Sequence, residues 1–311
     1  MTLGQLKKDF SEKLKNKSPS PQLDMEVLIE HFTGLSKTRQ LLNRDLELSP
    51  ENQKLLEDAL KKRLTGLPVA YITGHKEFFG YDFLVNPSVL IPKPDTEILV
   101  ERAIDLIIGK MEARPDCLLT ICDMCTGSGC IGLSVLKSLI EVYKIPSGHL
   151  PKITMIDISA DALEVAEKNI EHLGLPRENL RLVRSNLFEQ FSSDGGWTFD
   201  LILTNPPYIP HTLVDKLLKD GRNEPRLALD GDITLTGDRP FTMEGEPADD
   251  GLEIIRNLIP QAKAHLSPKG IILMETGEYN AEESSRLAKS YNFRTQIHPD
   301  LEGQLRVVEM Y

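Results

Sequence analysis

The chain has 311 residues, of which 40% are apolar and 27% charged, an ordinary globular composition that suits one large or two modest domains. Apolar runs are too short to cross a bilayer, and the start carries Asp9 and Glu12 instead of an apolar segment. We therefore expect a cytoplasmic protein with no membrane partner. The formal net charge is −11, with 12 basic and 10 acidic residues in 1–75 against 24 and 37 in the rest. Such an acidic body disfavours a stable nucleic-acid partner, because phosphate contacts supply much of that affinity.

Residues 1–75 are predicted to form a small helical domain. Apolar residues in MEVLIEHFTGL and ENQKLLEDALKKRLTGL recur at intervals of three and four, which is typical of amphipathic helices. Ser49 followed by Pro50 is a typical helix start. From residue 76 the sequence HKEFFGYDFLVNPSVLIP alternates and is rich in aromatic and β-branched residues, which predicts a β-hairpin linker over residues 76–95.

Residues 96–311 are predicted to form the main domain, opening with a helix whose N-cap is Asp95 or Thr96. Beyond residue 115, short apolar runs such as LLTICDM, ITMID, FDLILT and GIILMET alternate with helical stretches. This alternation predicts an α/β fold with a mostly parallel sheet, helices on both faces and ligands at the carboxyl ends of the strands. Residues 230–249 are rich in Gly, Pro and acidic residues and predict a long surface loop.

All four cysteines, Cys117, Cys122, Cys125 and Cys130, lie within fourteen residues of one another. The C-x2-C spacing of Cys122 and Cys125 occurs in zinc sites, but here it lies in an apolar run and no second ligand pair follows at finger spacing. We therefore expect small buried residues in a reducing compartment, and no metal.

The first strand of the predicted sheet ends in DMCTGSGCIG, and a helix follows. Gly127, Gly129 and Gly132 fit G-x-G-x-x-G, in which glycines allow a tight turn and close approach of a ligand to the helix N-terminus. Asp157 ends the next strand and can accept hydrogen bonds from two ribose hydroxyls. This pattern suits NAD or S-adenosylmethionine, and it also occurs in a tight turn without a ligand. Asp123 favours S-adenosylmethionine, because a carboxylate suits its cationic groups better than a pyrophosphate.

The most specific feature is Asn205-Pro206-Pro207-Tyr208, which ends the fourth strand. The two prolines restrict the backbone and stop the strand. The Asn205 side-chain oxygen and the Pro206 carbonyl can together accept both hydrogens of a planar NH2 group, and Tyr208 offers a stacking face. Two such acceptors activate a poorly nucleophilic nitrogen and stabilise its developing positive charge. The motif therefore predicts in-line methyl transfer to an amide or aryl amine, with neither metal nor strong base.

Taken together, these motifs resemble the HemK/PrmC family of peptide chain release factor N5-glutamine methyltransferases over nearly the whole chain. NPPY alone is shared with DNA adenine methyltransferases, whereas its combination with EPRLAL and IPKPDTE is specific. The matching segments are PVAYITGHKEFFGYDFLVNPSVLIPKPDTEILVE, DMCTGSGCIG, MIDISADALEVAEKN, LVRSNLF, LTNPPYI, EPRLALDG, DGLEIIRNLI and DLEGQLRVVEMY.

The resemblance implies a class I S-adenosylmethionine-dependent methyltransferase, Rossmann-like, with a reversed final strand and a small N-terminal helical domain. The implied substrate is the glutamine of the Gly-Gly-Gln motif of class-1 release factors, which the helical domain helps to engage, and the implied product is S-adenosylhomocysteine. We expect a monomer.

Residue by residue, the cofactor would be held by Asp123, Cys125, Thr126, Gly127, Ser128, Gly129, Asp157, Asn186, Leu187 and Asn205. Within that set the resemblance implies that Cys125 to Gly129 wrap the methionine part, Asp157 binds the ribose, and Asn186 with Leu187 lies beside the adenine. The substrate glutamine would be held by Asn205, Pro206, Pro207 and Tyr208, with Asn205, Pro206 and Tyr208 catalytic.

Several positions depart from the family pattern. Cys125 stands where many members have Gly, so the loop must tolerate a side chain there. Asn186 replaces a usual Asp but can still bind the adenine amine through its oxygen. Lys93 replaces a usual Arg, which keeps the charge and loses the fork geometry. The 230–249 loop is longer than usual and could cover the substrate cleft or touch the partner.

Three other functions remain as alternatives. A nucleic-acid adenine methyltransferase would share the cofactor site and NPPY but should show a basic face. An NAD-dependent oxidoreductase would leave NPPY unexplained, and a non-catalytic binding module should have a degenerate NPPY. Glu224 and Arg226 of EPRLAL could shape the substrate entrance or could only pin the chain.

Overall fold

A computed structural model describes residues 1–115, 117–191, 196–219, 223–233 and 249–311. The chain divides into two compact units, Met1–His75 with Leu217–Asn223, and Lys76–Lys216 with Glu224–Tyr311. Most of the predicted loop over residues 230–249 lies outside the described residues. None of the described helices is long and apolar enough to cross a membrane.

The first unit is helical, as the periodicity predicts. Its helices are α1 (Leu3–Leu14), α2 (Pro21–Thr33), α3 (Lys37–Leu42), α4 (Pro50–Leu64) and α5 (Val69–Thr73). The Ser49 side chain accepts a hydrogen bond from Asn52 N, and Pro50 opens α4, which confirms the predicted start. The apolar residues of α1, α2 and α4 recur every three or four positions, so they meet in one core that includes Phe10, Leu28 and Leu56.

A short hairpin follows, formed by β1 (His75–Phe78) and β2 (Tyr81–Leu84). Its turn has positive φ at Phe79 and Gly80. The hairpin is shorter than the predicted segment, because Asn86-Pro87 ends the alternating pattern and residues 85–93 form no further strand.

The described part of the second unit holds a seven-stranded sheet in the order β5-β4-β3-β6-β7-β9-β8. The strands are β3 (Thr120–Met124), β4 (Lys152–Asp157), β5 (Leu180–Arg184), β6 (Phe199–Thr204), β7 (Leu266–Glu275), β8 (Thr295–Pro299) and β9 (Leu305–Met310). All described pairings from β5 to β7 are parallel, while β9 runs antiparallel to both β7 and β8. The mostly parallel sheet with a reversed final strand is thereby confirmed.

Helices cover both faces of this sheet. They are α6 (Glu97–Ala113), α7 (Cys130–Glu141), α8 (Ala160–His172), α10 (Glu253–Ala264) and α11 (Ala281–Ser290). A further helix, α9 (His211–Lys219), has its residues divided between the two units. Alternate strand residues belong to different cores: Ile121 packs with α6, α7 and α8, whereas Cys122 packs with α10 and α11. This two-sided burial explains why the strands read as short continuous apolar runs.

The cysteines are less uniformly buried than the sequence suggests. Cys122 is buried within β3, and that burial raises the pKa of its thiol. Cys117 is exposed, because it precedes the strand, and the expectation of a buried residue is wrong there. Cys125 and Cys130 are partly buried, since they flank the loop at the edge of the sheet.

Candidate active site

The glycine loop joins β3 to α7 and turns through three residues of positive φ. These are Cys125 (59°), Gly127 (56°) and Gly129 (83°). A left-handed backbone costs a non-glycine residue about 1 kcal/mol or more. Cys125, the position where the sequence departs from the family's Gly, therefore stores strain in the loop. The loop tolerates that side chain at a conformational cost.

Asp123 lies directly beneath this loop and is fully buried. Its Oδ2 accepts hydrogen bonds from the Thr126 hydroxyl at 2.6 Å and from Gly132 N at 3.0 Å. Burial raises the pKa of this carboxyl to about 7, against the lowering effect of those two bonds. Its Oδ1 is buried without a partner among the described residues. An orphaned carboxylate oxygen at this place fits a ligand that carries positive charge.

The Asp123 carboxyl lies so close to residue 132 that only glycine fits there without a shift of the surrounding atoms. A Cβ there would stand 2.9 Å from Asp123 Oδ2 and 3.2 Å from its Cβ. The helix therefore packs its backbone against the carboxyl, which lets the Gly132 N–H reach it. The third glycine of the motif serves close packing, whereas the first two serve the turn.

Asp157, at the end of β4, is held by two backbone donors. Gly127 N donates to Oδ2 at 2.8 Å and Ser159 N donates to Oδ1 at 2.9 Å. Burial raises the pKa of this carboxyl. Ser159 caps α8 by accepting from Ala162 N, so the Asp157 carboxyl is not needed as the cap of that helix. Each Asp157 oxygen still has a lone pair for a further donor.

Asn186 and Leu187 line the same cavity on its next wall. The Asn186 amide nitrogen donates to the Glu189 carboxylate. This bond leaves the amide oxygen as the available acceptor, which is the group that an adenine amine needs. Leu187 is buried and has a φ of 46°, so it lends the wall an apolar surface in a strained conformation.

The Asn205–Tyr208 turn follows β6 and is held on its outer side by backbone contacts. Ile209 N donates to Leu229 O at 2.9 Å, and Gly231 N donates back to Ile209 O at 3.0 Å. The Tyr208 carbonyl accepts from Asn280 Nδ2 at 3.1 Å. These contacts fix the turn against the segment that EPRLALDG forms.

The inner side of the turn keeps its acceptors open. Within the described ranges, no group donates a hydrogen bond to Asn205 Oδ1 or to the Pro206 carbonyl. The Asn205 amide nitrogen donates to the Thr96 hydroxyl oxygen at 3.3 Å. Asn205 lines the cavity, whereas Pro206 is buried and does not. That these two acceptors bind one planar NH2 group stays a prediction.

The hydroxyl of Tyr208 is hydrogen-bonded within the protein. Its hydroxyl donates to Glu275 Oε1 at 3.4 Å, and burial raises the pKa of the phenol. Glu275 ends β7 and is fully buried, and burial raises the pKa of its carboxyl to about 7. The ring of Tyr208 packs against the core on the α10 and α11 side.

The glycine loop, the end of β4 and the turn after β6 border one cavity of about 640 Å³, a size typical of ligand sites. It lies at the carboxyl ends of the parallel strands, where the fold class predicts a ligand. The predicted residues that line it are Cys125, Thr126, Gly127, Ser128, Asp157, Asn186, Leu187, Asn205 and Pro207. The predicted residues outside the lining are Asp123, Gly129, Pro206 and Tyr208, which lie behind it in the loop and the turn.

Glu224, whose role the sequence left open, forms an ion pair with Lys93 beside the cavity. Lys93 Nζ lies 2.7 Å from Glu224 Oε1, and the same oxygen accepts from Ile91 N at 3.3 Å. Lys93 and Pro225, the residue after Glu224, line the cavity. Glu224 therefore pins the chain beside the cavity, whereas Arg226 pins it through Asp230 at 3.0 Å and through Asp215.

Sequence reasoning missed two residues of the site. Thr96 precedes α6 but makes no capping hydrogen bond, because it ends the 3-10 turn Pro94–Thr96 and has a helical backbone. Its hydroxyl accepts from Asn205 instead. Glu275 was not singled out. The available signal was a carboxylate that ends the apolar run GIILME at the carboxyl end of a parallel strand.

The fold and the loop define the class of protein. A mostly parallel sheet, a glycine loop with buried carboxylates and a cavity at the strand ends form an S-adenosylmethionine-dependent methyltransferase. The family described as "Methyltransferase small domain" matches residues 100–244, and the family described as "PrmC N-terminal domain" matches residues 5–74. The protein is therefore an enzyme.

Two full-length relatives specify the family. The release factor glutamine methyltransferases of Koribacter versatilis and Rhodopirellula baltica are each 34% identical to this chain, over 309 and 299 residues. The alignments cover 97% and 95% of this chain and 97% and 91% of those proteins. The chain belongs to the release factor glutamine methyltransferase family. A solved protein-(glutamine-N5) methyltransferase (release factor-specific) from Alicyclobacillus acidocaldarius is 25% identical, with a TM-score of 0.39 over 73% of this chain and 98% of that one.

Proposed function

We propose that this enzyme methylates the side-chain amide nitrogen (N5) of the glutamine in the Gly-Gly-Gln motif of class-1 peptide chain release factors. The observation that carries the proposal is the Asn205 amide, which borders the same cavity as the glycine loop with its oxygen unclaimed by any described donor. A glutamine side-chain amide carries a planar NH2 group, whose two hydrogens need two acceptors in that arrangement. The relatives' names support the same substrate.

The cofactor would be S-adenosylmethionine, with each part held by a different wall. Asp123 favours the cationic end through its orphaned Oδ1. The loop from Cys125 to Gly129 encloses the methionine part, Asp157 binds the ribose, and Asn186 with Leu187 contacts the adenine. This assignment rests on the donor and acceptor groups that each wall offers.

The protein's contribution to the chemistry is binding and orientation. Asn205 Oδ1 and the Pro206 carbonyl accept the two amide hydrogens and stabilise the positive charge that grows on nitrogen. The stiff turn aims that nitrogen into the cavity, which contributes by proximity. When bound, S-adenosylmethionine supplies the activated methyl group, whose bond to sulfur breaks as the bond to nitrogen forms and S-adenosylhomocysteine is left. The amide then loses a proton to water and becomes neutral again.

The three segments of the chain would divide the work. Residues 1–75 recognise the release factor, residues 76–95 link, and residues 96–311 catalyse. The match of residues 5–74 to a separate family supports an independent role for the helical segment. Its slight basic excess contrasts with the acidic remainder of the chain.

The test is transfer of a labelled methyl group from S-adenosylmethionine to a purified class-1 release factor, with the label located by peptide mass spectrometry. We expect one methyl on the Gly-Gly-Gln glutamine and none on a Gly-Gly-Ala variant. Asn205→Ala should lower kcat at least 100-fold, because it removes one of the two acceptors that stabilise the positive charge on nitrogen, and losing one such preorganised group costs about 3 kcal/mol.

Gln296→Ala is the matched control, since it removes an exposed side-chain amide from β8. It should leave kcat unchanged. Label on duplex DNA or RNA instead of the release factor would overturn the proposal in favour of an adenine methyltransferase.

A further inference from the structure

A buried hydroxyl lies directly behind the acceptor turn. Thr96 is 2% exposed and precedes α6. Its oxygen accepts from Asn205 Nδ2 at 3.3 Å across 109 residues of sequence. A 3-10 turn, Pro94–Thr96, runs directly into α6, and Thr96 has a helical backbone with φ of −72° and ψ of −17°. Its side chain therefore makes no capping hydrogen bond, and the hydroxyl contacts Asn205 instead.

A buried carboxyl lies close to this pair. Thr204 pairs with Met274 in the sheet, so Asn205 and Glu275 are the next residues along neighbouring strands. Burial raises the pKa of Glu275, and the nearby Thr96 side chain and the positive charge of Arg306 oppose that rise. Thr96 and Glu275 are thus both buried behind the acceptor turn.

The orientation of the Asn205 amide follows from its hydrogen bond to Thr96. The NH2 end of the amide faces the hydroxyl oxygen, which accepts through a lone pair. Oδ1, at the other end of the amide, therefore faces away from Thr96.

We propose that Thr96 is a positioning residue of the methyl-transfer site: by accepting from Asn205 Nδ2, it holds Asn205 Oδ1 toward the acceptor nitrogen. Glu275 lies behind the same turn, and its carboxyl accepts from the Tyr208 hydroxyl at 3.4 Å. The inference rests on the proposed function, because it takes Asn205 to bind the substrate amide.

The first measurement needs no substrate. In protein labelled with 15N-asparagine, the Asn205 side-chain NH2 signal is identified by its absence in Asn205→Asp. Its hydrogen exchange with solvent should be slow in the wild type and in Thr96→Ser, which keeps the hydroxyl. In Thr96→Val, which keeps the shape alone, exchange should be at least threefold faster.

The second measurement is kinetic. Thr96→Val should lower kcat for methyl transfer about tenfold, equivalent to about 1.4 kcal/mol. The KM for the release factor and the Kd for S-adenosylmethionine should stay within twofold, and Thr96→Ser should recover kcat to within threefold. Thr154→Val, which removes a buried hydroxyl from β4, is the matched control and should keep wild-type kcat.

A Thr96→Val enzyme with kcat within twofold of the wild type overturns the proposal. So does a Thr96→Ser enzyme that falls as far as Thr96→Val while Asn205 exchange is unchanged in both. A wild-type enzyme that methylates no release factor refutes the proposed function instead. In that event the exchange rates alone decide whether Thr96 fixes the Asn205 amide, and equal rates in wild type and Thr96→Val refute it.

Discussion

Replacing Asp123 by Asn should remove most of the pH dependence that the protein gives to cofactor binding near neutrality. Asn keeps the shape and an oxygen to accept from Thr126 and Gly132, but it loses the charge. In the wild type the pKa of this carboxyl is about 7, and a cationic ligand binds the ionised form. Affinity should therefore strengthen as the pH rises through 7, by about tenfold in Kd, or about 1.4 kcal/mol, between pH 6 and pH 8.

The absolute loss should be largest at pH 8. Two unit charges about 4 Å apart attract by about 4 kcal/mol at an effective dielectric constant of 20. Desolvation of the ligand's ammonium group offsets part of this attraction. We expect a net loss of about 2 kcal/mol in Asp123→Asn, which is roughly thirtyfold in Kd.

The assay is calorimetric titration of both proteins with S-adenosylmethionine at pH 6, 7 and 8. The ligand's own amino group titrates in this range, but it does so equally for both proteins, so the ratio of the two Kd values isolates Asp123. With 5′-methylthioadenosine, which lacks the cationic groups, that ratio should be near one. A ratio for S-adenosylmethionine that does not change between pH 6 and pH 8 would refute the reasoning.

Two further substitutions test the packing and the charge of the site. Gly132→Ala places a Cβ 2.9 Å from the buried Asp123 carboxyl and should weaken cofactor binding, measured by titration, at least tenfold. Gly109→Ala in α6 is the control, because a Cβ there meets nothing within 4 Å. It should raise the free energy of unfolding in urea by about 0.5–1 kcal/mol. Burial raises the Glu275 pKa from 4.5 to about 7, so the native state holds a proton that the unfolded chain releases, and stability falls as pH rises between those values. The free energy of unfolding of Glu275→Gln, measured in urea relative to that of the wild type, should therefore rise by roughly 3 kcal/mol from pH 5 to pH 8. If the two proteins lose or gain stability in parallel over this range, the reasoning is wrong.

The sequence predicted the elements whose signals are local. The spacing of apolar residues in α1, α2 and α4 is confirmed by their shared core, and the Ser49-Pro50 start of α4 is confirmed by its cap. The short apolar runs became the strands of a mostly parallel sheet. These features depend on neighbours within a few residues, so they can be read along the chain.

The conformation of Cys125 could be predicted from the sequence only in part. The loop motif and its departure from Gly are visible in the sequence, but the φ of 59° is not, because a cysteine by itself prefers negative φ. Only the surrounding loop, fixed at both ends by β3 and α7, imposes that backbone. Leu187 also has a positive φ that the surrounding tertiary structure imposes, and no turn-forming residue beside it in the sequence predicts it.

By itself, then, the sequence determined the helical segment, the alternation of strands and helices, the glycine loop and the NPPY turn. The tertiary structure alone decided which residues support them. Thr96 meets Asn205 across 109 residues because α6 packs against β6, and Tyr208 meets Glu275 across 67 because β7 lies beside β6. Strand order is set by the packing of the whole domain, and local sequence carries no record of it. A threonine that reads as a helix cap therefore becomes part of the active site only when the sheet is assembled.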